Sequence, residues 1–366
     1  MYTIKIYKVR LQYSYPHLHP HLHKLVTPQR ETDNIRQLIA LRFILAMASD
    51  EIAIDISPDI ILYKDGKVVR NFVQPYVPPS LEDPTTGVST KDVPISPEVS
   101  ARVYLPKVII DGQKLPILVY FHGGGFCLVS AFDSLYNTYL KLLVSEANAI
   151  VVTVEFRLTP EYPLPTGYED CWTALQWVAS HAVDYSTTGV DREPWLINYG
   201  NFDKLYIGGD STGGNMVHNI AMRAGQENLQ GGLKILGGIL SYPYFLVSSW
   251  AKKNEETLSD MVKMYKKYWL LSYPSAPGGY ENPLVNPVVD DAPSLAGIGC
   301  SSLLVIMAID DVREAHLLYV EALRKSGWKG ELELADFEGY DHFFEVFNPT
   351  TQRAKNMIKR IASFIK

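Results

Sequence analysis

The chain has 366 residues, 47% hydrophobic and 20% charged, with a formal net charge of −6, enough for one large α/β domain or two small ones. The acidic balance leaves no basic surplus for nucleic acid or an anionic membrane, and no apolar run approaches the roughly 20 residues that span a bilayer. Cys127, Cys171 and Cys300 are too few and too far apart for a disulfide framework, which points to a reducing compartment such as the cytoplasm.

Residues 1–46 stand apart. They carry seven Lys or Arg against Glu31 and Asp33, and the remaining 27 basic and 38 acidic residues give a net of −11. His17, His19, His21 and His23 alternate with Leu18, Pro20 and Leu22. Alternating histidines suit a metal, but the stretch reads better as a disordered tail without catalytic duty. Residues 38–46 are apolar but broken by Arg42 and far from the terminus, a poor secretory signal. Met47-Ala48-Ser49-Asp50-Glu51 resembles a natural start, so the functional chain is expected over 47–366.

Within 52–79 the pattern suggests a short hairpin, turning at Asp65-Gly66, and a proline-rich arm over a pocket. Residues 99–105 alternate as a strand, and 115–121 form an apolar run ending at His122-Gly123-Gly124-Gly125-Phe126. Residues 149–156 are apolar and β-branched, as in a buried parallel strand. A helix is expected over 170–182. The run Leu205-Tyr206-Ile207 leads to Gly209-Asp210-Ser211-Thr212-Gly213 and a helix over 215–222. Strands over 235–240, 303–309 and 332–337 alternate with helices over 250–271, 314–326 and 351–365. No internal repeat is seen, and the alternation predicts a mainly parallel sheet covered on both faces.

G-x-S-x-G between a strand and a helix is a nucleophile elbow. Its glycines permit a tight turn that lifts Ser211 off the strand end. A serine hydroxyl is a weak nucleophile and needs a base, which in turn needs an orienting acid. Downstream loops offer Asp310 after the 303–309 strand and His342 after the last strand, in the order Ser, Asp, His of an α/β-hydrolase. Asp311 competes with Asp310, but Asp310 comes first off its strand. His122 is expected to order the glycine loop, while His181, His218 and His316 occupy ordinary helical positions. Asp210 adjoins the nucleophile and is expected to tie down the elbow. Gly123 and Gly124, with the amide of Thr212, are expected to form the oxyanion hole. Tyr242, Tyr244, Tyr265, Tyr268 and Trp269 are candidates for the pocket lining, with Tyr242, Tyr265 and Trp269 favoured for substrate binding. The chemistry calls for no metal and no organic cofactor.

These motifs, with Glu155-Phe156-Arg157-Leu158-Thr159-Pro160-Glu161, resemble the hormone-sensitive-lipase-type plant carboxylesterases over residues 50–366. Lys91-Asp92-Val93-Pro94-Ile95-Ser96, Glu169-Asp170-Cys171-Trp172 and Pro274-Ser275-Ala276-Pro277-Gly278-Gly279 are similar to the monoterpene indole alkaloid branch of that family. The resemblance implies an α/β-hydrolase fold over 47–366. It implies a mainly parallel eight-stranded sheet flanked by helices, with a helical cap from about 47–80 and 250–273. It also implies a small-molecule alkaloid ester as substrate. The branch includes tabersonine, catharanthine and coronaridine synthases, which cyclise a reactive diene such as dehydrosecodine, and norfluorocurarine synthase, which cleaves a methyl ester before decarboxylation. The cyclising pattern has H-G-A-G-F and lacks the histidine. This chain keeps Gly124 and His342, so the resemblance points to a member that hydrolyses the methyl ester of a dehydropreakuammicine-like alkaloid. A cyclase or a general carboxylesterase is the alternative.

Overall fold

The computed structural model describes residues 51–107, 112–183, 192–308, 311–337 and 342–365. The histidine-rich extension and Asp310 lie outside the described residues. By its internal contacts the chain divides into two compact units, Met1–Glu51 with Tyr63–Lys67, and Ile52–Leu62 with Val68–Lys366. In the first, Lys64 pairs with Glu51, and Gly66 takes a φ of 87° in the turn.

The second unit carries the main sheet. Strands β1 (Ile52–Ile56), β2 (Ile60–Tyr63) and β3 (Val68–Arg70) form a small three-stranded sheet. The main sheet is built from β4 (Ser89–Pro94), β5 (Ser100–Leu105), β6 (Leu115–Phe121), β7 (Ile150–Glu155), β8 (Gly200–Asp210), β9 (Ile235–Ser241), β10 (Cys300–Ala308) and β11 (Glu331–Phe337). The helices, in chain order, are α1 (Ser134–Ala147), α2 (Thr166–Ser180), α3 (Pro194–Tyr199), α4 (Thr212–Ala224), α5 (Ser248–Lys252), α6 (Asp260–Ser272), α7 (Arg313–Lys325), α8 (Phe344–Phe347) and α9 (Gln352–Phe364).

The eight strands lie in the order β11-β10-β9-β8-β6-β7-β5-β4. Pairing is parallel from β11 to β7, while β5 runs antiparallel to both β7 and β4. The central strands are buried throughout much of their length, as their unbroken apolar runs require. Two apolar layers cover the sheet. One holds α2 and α4 residues such as Leu175, Val178, Val217 and Ile220. The other holds α1 and α9 residues such as Leu140, Leu143, Met357 and Ile361.

Some elements differ from the sequence expectations. Helix α1 was not expected, although Asp133 caps it, accepting from the Tyr136 amide at 3.1 Å. The segment 250–271 is not one helix. It divides into α5, a 3₁₀ turn over Glu255–Thr257, and α6, which Ser259 caps by accepting from the Val262 amide. Helix α2 begins at Thr166, four residues earlier than its first polar-apolar repeat suggested.

Candidate active site

Strand β8 ends at Asp210, and α4 starts at Thr212, so Ser211 is the whole turn. Its φ is 51° and ψ −115°, a conformation that a side-chain-bearing residue rarely adopts. The surrounding backbone holds it there. The Ser211 amide donates to the Ser241 carbonyl at 2.9 Å, and its carbonyl accepts from Tyr244 at 2.8 Å and Asn215 at 3.0 Å. The turn admits no side chain beside it: a Cβ on Gly213 would overlap the Phe121 carbonyl oxygen, and one on Gly209 would lie 2.5 Å from the Gly213 carbonyl carbon. The first amides of α4 and its dipole therefore face the nucleophile's end of the sheet.

Behind the elbow lies a buried polar network. Asp210 accepts from the hydroxyls of Tyr120 at 2.6 Å and Tyr136 at 2.8 Å. Burial raises its carboxyl to about 6, against which the two phenols and the charge of His342 act. The Tyr136 hydroxyl also accepts from the Gly123 amide at 2.7 Å. The elbow and the glycine loop are thus joined through one phenol, and Asp210 holds the turn as its position suggested. His122 is buried and stacked on Phe156 at 4.2 Å, and its Nδ1 donates to the Gly123 carbonyl at 2.9 Å. Burial lowers its pKa to about 4, so it is neutral at pH 7 and serves the loop.

This network corrects the oxyanion assignment. The Gly123 amide is already engaged by Tyr136. Gly124 and Gly125 line the cavity beside Ser211, and their amides, with that of Thr212, make no hydrogen bond to the described residues. Gly125 was not among the expected donors, though its place in the triplet puts it beside Gly124. The Thr212 side chain is fully buried and is not among the cavity-lining residues, so it does not narrow the cavity.

The cavity holds about 250 Å³. Ser211, His342, Gly124 and Gly125 share its wall with α6 residues Met261, Met264, Tyr265 and Tyr268. These four recur at the spacing of one helix face. From the arm come Asp59 and Phe72, and from the C-terminal segment Phe343, Val346 and Phe347. Tyr265 places its hydroxyl 3.2 Å from His342 Nε2. Tyr244 and Tyr268 line the cavity as expected, whereas Tyr242 and Trp269 do not. Tyr242 is buried behind the site with its ring 4.8 Å from that of His342. Trp269, one residue past the lining face of α6, is buried and donates to the Gly279 carbonyl at 2.9 Å. In both cases a buried aromatic was mistaken for a lining one.

The competing histidines are structural. His181 Nε2 accepts from the Glu193 amide at 2.9 Å, His218 Nδ1 meets the Tyr319 hydroxyl at 3.1 Å, and His316 Nε2 donates to the Pro243 carbonyl at 2.9 Å. Asp311, the competitor of Asp310, is exposed. The three cysteines are free and buried. Among the described residues no group of three or more His, Cys, Asp or Glu is gathered to hold a metal, and no helix is long and apolar enough to cross a membrane.

The family profile described as the alpha/beta hydrolase fold matches residues 118–346. The chain belongs to the α/β-hydrolase family. Within the family it is 57% identical over 325 residues to a Catharanthus roseus protein named Hydrolase 3, covering 87% of this chain and 99% of that one. It is also 57% identical over 324 residues to tabersonine synthase of Catharanthus roseus, with the same shares covered. Among solved structures, an esterase from Pyrobaculum calidifontis matches with a TM-score of 0.57 at 28% identity, covering 76% of this chain and 85% of that one. The α/β-hydrolase assignment and the esterase class of the fold agree with the motifs.

Proposed function

We propose that this α/β-hydrolase is a serine carboxylesterase of alkaloid metabolism that cleaves the methyl ester of a dehydropreakuammicine-like substrate. Decarboxylation of the resulting acid follows. Ser211 attacks the ester carbonyl, and His342 takes its proton and returns it to the departing methanol; a water that His342 then deprotonates cleaves the acyl-serine bond, releasing the acid and restoring Ser211. The carbonyl oxygen becomes an anion, met by the amides of Gly124, Gly125 and Thr212. Asp310, which follows β10 in the sequence, is assigned to orient His342. The arm and α6 act as the cap, and their aromatic and methionine side chains remove water from around a bulky ring system.

One observation carries the reading: Ser211, held at positive φ on the elbow, shares one cavity wall with His342 and two glycines whose amides are unengaged among the described residues. The test is methanol release from the alkaloid methyl ester by wild type and Ser211→Ala. A fall of at least about 10⁴-fold is expected, and methanol release by the variant at the wild-type rate would sink the proposal. The likeness to tabersonine synthase favours a second reading, a cyclase acting on a dehydrosecodine-like intermediate in the same cavity. That reaction releases no methanol from the methyl ester, so product mass separates the two.

A further inference from the structure

Asp59 is the one carboxylate on a wall otherwise made mostly of aromatic, methionine and aliphatic side chains, as far as the described residues go. It lies between β1 and β2, and its own carbonyl accepts from the Asn71 amide at 2.8 Å, which fixes the turn. Its Oδ2 accepts from the Tyr268 hydroxyl at 2.8 Å. Among the described residues no donor reaches Oδ1, and no cation lies within ion-pair distance of the carboxylate. The neighbouring guanidinium of Arg70 is already committed to Glu161 and to the carbonyls of Cys127 and Thr159.

The phenols of the wall are also occupied. The Tyr136 hydroxyl serves Gly123 and Asp210, that of Tyr244 donates to the Tyr265 carbonyl, and that of Tyr265 meets His342. The cavity therefore offers a ligand apolar surface, four tyrosine rings and one negative charge. An unpaired carboxylate against apolar surface is costly to desolvate. A ligand that brings a cation removes that cost, and the tyrosine faces add cation–π attraction.

We infer that Asp59 is the counter-ion that selects substrates carrying a protonated or quaternary amine. Tyr268 fixes the distance of that amine from the reacting bond. Its hydroxyl holds Asp59, and its ring packs so closely on the glycine loop that a Cβ on Gly125 would lie 2.8 Å from it. The ammonium group and the ester carbonyl are thus separated by about the length of one tyrosine side chain. The ester part of this inference rests on the esterase reading above, and the cation part rests on the cavity alone.

The experiment uses two probes of one shape, benzoylcholine and its neutral isostere 3,3-dimethylbutyl benzoate. Binding is measured by calorimetry on the Ser211→Ala protein, with and without Asp59→Asn, which keeps an acceptor for Tyr268 but removes the charge. The inference expects the preference for the cationic probe to fall about tenfold or more on Asp59→Asn. Asp59→Glu, which restores the charge, is expected to recover part of it, and Tyr268→Phe to retain it. An unchanged preference in Asp59→Asn, or equal weakening of both probes, overturns the inference. Hydrolysis of the same probes by the Ser211-containing protein is scored separately. If neither is cleaved, nor the alkaloid ester, the esterase reading fails while the binding ratio still decides the role of Asp59.

Discussion

Behind Ser211 the structure places a buried carboxylate, two phenols and a backbone amide, each satisfied by another. In front of it lies a cavity whose wall is mainly aromatic rings, methionines and aliphatic groups. The rear is closed and redundant: Asp210 has two donors, and the glycine loop is held by both Tyr136 and His122. The front keeps three amides and one Asp59 oxygen without partners among the described residues. Rigidity is therefore built around Asp210 on one side of the elbow, and the unengaged loop amides lie on the other. A site that must meet an oxyanion in a fixed place needs this division, because donors that had to reorganise at the moment of reaction would lose much of their effect.

The largest effect beyond the nucleophile itself is expected at the front. Gly124 has a φ of +98°, and a Cβ there would lie 2.6 Å from the Leu128 carbonyl oxygen. Gly124→Ala must move the loop and displace the amide proposed to meet the oxyanion. A loss of about 10²–10³ in kcat is expected, with a smaller change in KM, measured on any ester the protein cleaves. A loss confined to KM would mean that the glycine shapes the pocket rather than the transition state.

A pair of phenols sharpens the contrast further. Tyr136→Phe leaves the Gly123 amide without its acceptor and Asp210 with one donor fewer, in a fully buried setting. Such groups cost about 1–3 kcal/mol each when stranded, so a destabilisation of roughly 2–4 kcal/mol is expected in denaturant unfolding. Tyr265→Phe, on the cavity side, removes a hydroxyl 3.2 Å from His342. It is expected to alter activity more than stability. Equal stability losses in the two variants would erase the distinction between rear and front.

Much of this was legible in the chain. The parallel strands announce themselves as apolar, β-branched runs, and the elbow follows from two glycines that the close approach of Phe121 demands. Position along a strand predicts where a loop residue emerges, and Ser211 and His342, expected at strand ends, line one cavity. What a hydrogen bond does with a neighbouring amide is not written locally. Gly123 looked equivalent to Gly124 until Tyr136, thirteen residues on and in a helix that the reading missed, took its amide. Tyr242 and Trp269 show the same limit: an aromatic residue reads alike whether it faces a cavity or the layer behind it. Asp59 was passed over because a carboxylate after Ser57-Pro58 reads as an ordinary turn residue, and only the tertiary packing of α6 brings it to the cavity.

The smallest expected effect tests whether every buried acid behind the site is answered as Asp210 is. Glu345 in α8 is fully buried, yet neither of its carboxylate oxygens has a partner among the described residues. Burial pushes its carboxyl up to about 8, with the charge of Asp210 adding to the rise. The folded value lies above the unfolded one, so the stability owed to the neutral form is complete below the ordinary glutamate range. It is lost as pH rises through about 8. Glu345→Gln stays neutral at every pH. Its stability relative to wild type should therefore improve by up to about 1.4 kcal/mol per pH unit from pH 6 towards pH 8 and level off above about 8. Thermal unfolding of the two proteins across that range measures it. A difference that stays flat with pH would mean that ionised Glu345 acquires a donor or a cation, making the rear of the site as fully answered at Glu345 as it is at Asp210.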